Sequence, residues 1–188
     1  MRRTLISAIA LFCCLSVSSV AEPVLGDLDG IQLPQPASQT ASVSKVNEGA
    51  SLLAAGQSLK AEEILNQAVA DNPGCAEGYY NLGLALAFNG KHAEALAAHR
   101  KALELRADFP EARLAFGIAH LTLNQPKQAL EAFDSVLARI PDSPAGRAAL
   151  FDKGTALGRL KRYTEAELCL SEALAADPDD PAPAFQIG

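Results

Sequence analysis

Four glycines, Gly49, Gly83, Gly117 and Gly154, recur at intervals of 34, 34 and 37 residues. Twelve residues after each stands an alanine (Ala61, Ala95, Ala129 and Ala166), so a second landmark keeps the register of the first. Pro73, Pro141 and Pro178 fill a third slot twelve residues further on in three copies. Ala107 fills it in the other, with Pro110 three residues later. A period of this length marks an array of helical units, each of which buries its apolar face only against its neighbours.

The glycines sit inside apolar, helix-like runs, where each costs roughly 1 kcal/mol relative to alanine. Close crossing of two helices explains the choice. Gly83 lies on the first of two helices and Ala95 on the second, with a turn at Asn89-Gly90 between them, so the pair folds into an antiparallel hairpin. Packing of Tyr79, Leu82, Leu86, Leu96 and Leu103 around the crossing offsets the glycine, at about 1.5–3 kcal/mol per buried large apolar residue. Helices are expected near 43–56, 59–71, 76–89, 92–105, 110–123, 126–139, 146–160 and 163–176. Pro126 suits a first helical turn, Asn124 a left-handed helix end, and the prolines at 73, 141 and 178 stop second helices.

Residues 76–109 resemble the tetratricopeptide repeat from end to end. Tyr79, Leu82-Gly83, Ala95 and Ala102 stand at the family's aromatic, Leu-Gly and small positions. Residues 42–75 keep Gly49, Gly56, Ala61, Ala68 and Pro73, but carry Lys45 and Glu48 where an aromatic and a leucine are usual. Residues 110–143 keep Phe116, Gly117, Ala129, Phe133 and Pro141. Residues 147–180 keep Gly154, Leu157, Tyr163, Ala166, Ala173 and Pro178, after an insertion of three residues at Pro144-Ala145-Gly146. The resemblance implies an all-α solenoid of antiparallel helix-turn-helix repeats wound into a right-handed superhelix. Residues 181–188 match the first eight positions of a fifth copy, so either the array is longer, or a partner or second copy covers its uncapped end.

Residues 1–21 carry Arg2 and Arg3, an apolar core of thirteen residues from Leu5 to Val17, and small residues at Ser19 and Ala21. This reads as a secretory signal peptide cut after Ala21, which implies export across an inner membrane into the periplasm. An uncleaved anchor is the alternative, but a span needs about 20 apolar residues. Cys13-Cys14 suggests a lipoprotein, yet Phe12 stands where that signal needs a small residue. Residues 22–41, with three prolines and many polar residues, read as a flexible linker. The competing reading lays Val24, Leu25, Leu28, Ile31 and Leu33 in the groove as a built-in ligand.

Removing residues 1–21 takes away two of sixteen basic residues and none of twenty-two acids, leaving a formal charge of −8. Without a basic run, such a surface argues against nucleic acid. Membrane contact is expected only through the leader, if that is retained. His92, His99 and His120 belong to no metal-ligand pattern, and His99 and His120 occupy positions that are usually aromatic, which points to packing. No phosphate loop or nucleophile elbow is present, so no cofactor and no catalytic group is expected. Cys75 and Cys169 lie almost three repeats apart and read as buried or free thiols.

In the resembled family the first helices line a concave face. Carried over residue by residue, that stripe holds Val43, Val46, Ala50 and Leu53; Glu77, Tyr80, Leu84 and Phe88; Glu111, Leu114, Ile118 and Leu121; and Phe151, Thr155 and Arg159. Packing between helices competes as the role of each. The positions of the family's carboxylate clamp hold Val46, Ala50, Glu111 and Ala115, with only Asn81 matching, so a C-terminal carboxylate is not the ligand. The resemblance implies a non-catalytic adaptor or scaffold that binds a partner's peptide or helix on an apolar groove rimmed by Glu77, Glu111 and Arg159, and the secretory signal read at residues 1–21 adds the expectation of an envelope assembly. The alternative is the repeat region of a larger enzyme or sensor.

Overall fold

The computed structural model describes residues 37–176. Over them the chain forms eight α-helices: α1 (Ala37–Ala54), α2 (Ser58–Asp71), α3 (Ala76–Phe88), α4 (His92–Leu105), α5 (Pro110–Thr122), α6 (Pro126–Leu137), α7 (Pro144–Arg159) and α8 (Tyr163–Ala176). No strand occurs among the described residues. Residues 1–36 and 177–188, which include the segment read as a secretory signal and the one read as the start of a fifth copy, lie outside them.

Consecutive helices pack as the pairs α1/α2, α3/α4, α5/α6 and α7/α8, and each second helix also packs on the first helix of the next pair. First helices touch one another as well, α1 with α3, α3 with α5 and α5 with α7. The result is an all-α solenoid of two helical layers, with the core between them and across each junction. Leu53, Leu65, Leu82 and Leu86 join the first two pairs, Ala102, Phe109 and Ala112 the second and third, and Leu121, Phe133, Val136 and Ala149 the third and fourth.

The periodic glycines are the crossing points. A Cβ on Gly49 would lie 2.5 Å from Leu65 Cγ, one on Gly83 2.4 Å from His99 Cε1, one on Gly117 2.5 Å from Phe133 Cε1, and one on Gly154 2.7 Å from Leu170 Cγ. The glycine therefore faces the residue sixteen further on, a large side chain one helical turn past the small alanine. That alanine is itself buried in every pair, at Ala61, Ala95, Ala129 and Ala166.

One turn geometry closes every pair. Gly56 (φ 74°), Gly90 (φ 77°), Asn124 (φ 57°) and Lys161 (φ 61°) all adopt the left-handed region. The following amide donates back to the carbonyl five residues earlier in each copy: Gln57 to Leu52 at 2.8 Å, Lys91 to Leu86 at 2.8 Å, Gln125 to His120 at 2.8 Å and Arg162 to Leu157 at 3.0 Å.

Two boundaries differ from the sequence reading. The segment expected to remain linker up to residue 41 is helical from Ala37, because nothing between Ala37 and Gly49 breaks a helix; Thr40 and Ala41 are exposed and so leave no apolar period to read. The insertion at Pro144-Ala145-Gly146 forms the first turn of α7 instead of preceding it. Pro144 takes a first-turn position, and Ser143 Oγ accepts the Gly146 amide at 2.9 Å.

Candidate functional site

The second helices α2, α4 and α6 cover one side of the first helices, so whatever the first helices expose lies on the opposite side. On α3 that side carries Glu77, Tyr80, Leu84 and Phe88, spaced three to four residues apart as one helical face requires. Phe88 is 65 % exposed and closes the helix; Leu84 and Tyr80 are half-buried beneath it. On α5, Ile118 is 41 % exposed, and Glu111 and Leu114 are half-buried. Phe151 is half-buried and Arg159 exposed on α7.

Val43 and Thr155 are half-buried too, but four residues of the stripe lie deeper. Val46 is 3 % exposed, with Ala50 and Leu53 also buried, and Leu121 is 5 % exposed. Val46 packs with Ala68 and Cys75, and Leu121 with Phe133 and Ala156. In their place α1 presents Asn47 and Ser51 to solvent, and α5 presents Thr122. These polar residues gave no hydrophobic signal, but each falls four residues from another exposed position of its helix, so helical phase could have found them.

Electrostatics distinguish the two ends of the face. Glu77 accepts from Arg106 Nη1 at 2.6 Å, and the Arg106 guanidinium lies 3.7 Å from the Phe109 ring centre, which holds it in place. Glu111 has no hydrogen-bond or ion-pair partner among the described residues. Arg159 Nη1 donates to the Leu121 carbonyl, which ties α7 to α5 across the face. Tyr80 stacks at a tilt on Phe109, with centroids 5.0 Å apart, and on His99 at 6.0 Å. Burial, and secondarily the Glu111 carboxylate, push its phenol up to about 12.

His99 and His120 are packing residues, as their register implies. His99 is 1 % exposed, its buried Nδ1 has no hydrogen-bond partner, and burial lowers its pKa to about 4. His120 meets Phe116 edge-on at 4.5 Å and shares a 2.6 Å contact between Nδ1 and Gln125 Oε1. Cys75 and Cys169 are both buried and neither forms a disulfide among the described residues, and burial raises the Cys169 thiol. Polar links between copies run along the turn edge. Glu62 accepts from both Asn89 Nδ2 and Lys91 Nζ at 2.6 Å, and these bonds, Lys91 first, hold its carboxyl below the usual range.

Two open grooves lie at the C-terminal end. One of about 660 Å³ runs between α6, α7 and α8 beside Leu137, Leu150, Lys153 and Leu168; another of about 500 Å³ lies over Gly154, Gly158, Tyr163 and Leu170. Of the stripe, only Thr155 and Arg159 border either. Among the described residues no group of three or more His, Cys, Asp or Glu side chains could hold a metal ion, and no helix is long and apolar enough to cross a membrane.

The family model described as tetratricopeptide repeat matches residues 46–112 and 114–181, more than half of the chain. The chain belongs to the tetratricopeptide repeat family. No curated protein matches it. Solved structures resemble this repeat protein at low identity. A fragment of MamA from Desulfovibrio magneticus is 22 % identical with a TM-score of 0.70, over 78 % of this chain and 81 % of that one. PilF of Pseudomonas aeruginosa is 16 % identical with a TM-score of 0.72, over 81 % of this chain and 68 % of that one. PilW, described as a widely conserved type IV pilus biogenesis factor, is 22 % identical with a TM-score of 0.69, over 76 % of this chain and 64 % of that one. At these identities the likeness establishes the solenoid fold.

Proposed function

We propose that this tetratricopeptide repeat protein is a non-catalytic scaffold that holds a peptide or helix of a partner protein on the exposed side of its first helices, within a bacterial envelope assembly. The observation that carries the reading is the pair of solvent-facing apolar residues Phe88 and Ile118 on adjacent first helices, with Tyr80, Leu84 and Leu114 half-buried around them. Large apolar side chains held open on a rigid, repeat-built surface offer a partner buried area without a folding cost. In this reading the four repeats are 42–75, 76–109, 110–143 and 147–180, and residues 1–21 act as a secretory signal that delivers the chain to the periplasm. The fold shared with a pilus biogenesis factor supports an envelope setting.

The test is site-specific photocrosslinking from the position of Thr122 in the native envelope, comparing the natural chain with a Phe88→Ala, Ile118→Ala double variant. Phe88 is 65 % exposed and Ile118 41 %, so the two truncations together cost on the order of 1–2 kcal/mol, and circular dichroism of the double variant checks that it remains folded. A defined crosslinked partner that disappears in the double variant is the expected result. The same crosslinks from both chains would refute the reading.

A further inference from the structure

We infer that the segment held on this face is apolar and basic: it carries a lysine or arginine that pairs with Glu111 while its apolar side chains cover Ile118 and Phe88. The inference rests on the scaffold reading above and adds the chemistry of the occupant.

Charge bookkeeping on the two central first helices leaves one side unanswered. Glu77 is already neutralised by Arg106 at 2.6 Å. Glu111, at the same place one repeat later, has no cation beside it among the described residues. The counterpart of Arg106 in the next copy is Ile140, which cannot supply one. The Glu111 carboxylate acts on the Tyr80 phenol, a member of the same face on α3, so its charge is felt on this side of the solenoid. An occupant that extended from Ile118 and Phe88 over Glu111 without a cation there would strip water from the carboxylate and leave it unpaired, which opposes neutral and acidic segments. A lysine or arginine answers both demands, since its alkyl stem lies on apolar surface while its head reaches a carboxylate. The protein's formal charge of −6 adds attraction for such a partner.

Repeat register also sets the spacing. Ile118 lies seven residues along α5 from Glu111, about 10 Å at 1.5 Å per residue; Phe88 occupies a repeat position eleven beyond that of Glu111, about 16 Å along parallel first helices. A helical occupant therefore places its basic residue about seven and eleven residues from the apolar ones.

The test uses the full chain and three fluorescent helical peptides. Each has leucines seven and eleven residues from one variable position, occupied by Lys, Gln or Glu, and each is made in both chain directions. Anisotropy titrations are expected to show the Lys peptide binding about fivefold more tightly than the Gln peptide, the upper range for a partly exposed ion pair, with the Glu peptide weaker still. Glu111→Gln is expected to abolish the Lys preference, by weakening binding of the Lys peptide and lifting the penalty on the Gln peptide, and Glu111→Lys to reverse the order. A Lys preference that survives Glu111→Gln overturns the inference. Equal binding of all three peptides that Phe88→Ala removes overturns it too, but leaves the scaffold face standing. Absence of binding by every peptide, or binding indifferent to Phe88→Ala, overturns the face and the inference together.

Discussion

Replacing His99 with leucine isolates one buried titratable group in the centre of the solenoid. The same repeat position holds Leu65, Phe133 and Leu170 in the other copies, and Leu65 and Leu170 already pack over Gly49 and Gly154 as His99 does over Gly83. A leucine therefore fits without moving α3 from α4. At neutral pH the substitution removes a buried ring nitrogen without a partner, and a gain of about 1 kcal/mol follows. The larger effect appears in acid. In the folded chain His99 titrates at about 4, below its unfolded value near 6.5, because burial opposes the charged form. Between those values the unfolded chain takes the proton first, so the natural protein loses stability as pH falls through this window. The loss is about 2–3 kcal/mol by pH 4.5 and slightly more in full. All other titrating groups are common to both chains, so the difference between them reports His99. Urea unfolding followed by circular dichroism at 222 nm, at pH 7 and 4.5, measures it. The leucine variant is expected to widen its lead over the natural chain by about 2–3 kcal/mol more at the lower pH. Parallel losses in the two proteins would show that His99 is not held neutral by burial, and would refute the reasoning.

Gly117→Ala and Gly158→Ala are expected to act in opposite directions although both residues lie within helices. The first would put a Cβ 2.5 Å from the buried Phe133 ring and is expected to cost about 2 kcal/mol in urea unfolding despite alanine's better helix propensity. The second meets nothing within 4 Å and is expected to gain up to about 1 kcal/mol. Lys161→Gly is expected to raise the unfolding free energy by about 1 kcal/mol, because Lys161 takes a φ of 61° where the first two copies use glycine. A loss of stability on this change would show that the lysine side chain supports the turn.

Much of the fold was legible because the chain repeats. Small residues in phase announced paired helices, and the second helix starts Ser58, His92, Pro126 and Tyr163 fall within one residue of the expected ones. What the glycine faces was not legible: the sequence pairs Gly83 naturally with Ala95, but the helices cross one turn later, over His99. The helical start at Ala37 escaped notice because the exposed Thr40 and Ala41 carry no apolar period; the link from Ser42 Oγ to the Ala68 carbonyl at 3.0 Å and the ion pair of Lys45 with Asp71 at 2.6 Å fasten the helix to α2 from the next turn onward.

The face proposed to bind a partner shows the same division. Its chemistry followed from helical phase, which puts Glu77, Tyr80, Leu84 and Phe88 on one side of α3 whatever surrounds them. Which apolar residues remain open to solvent was settled by the neighbours. Val46, Ala50 and Leu53 fall inside because α3 packs against α1, and Leu121 falls inside because Phe133 and the next pair close over it. Local sequence determined the helices, their pairing and the order of stacking, since each depends on contacts a fixed number of residues apart. Only the tertiary structure decided the accessible surface, because exposure depends on how far each helix rotates against neighbours that the linear pattern does not encode.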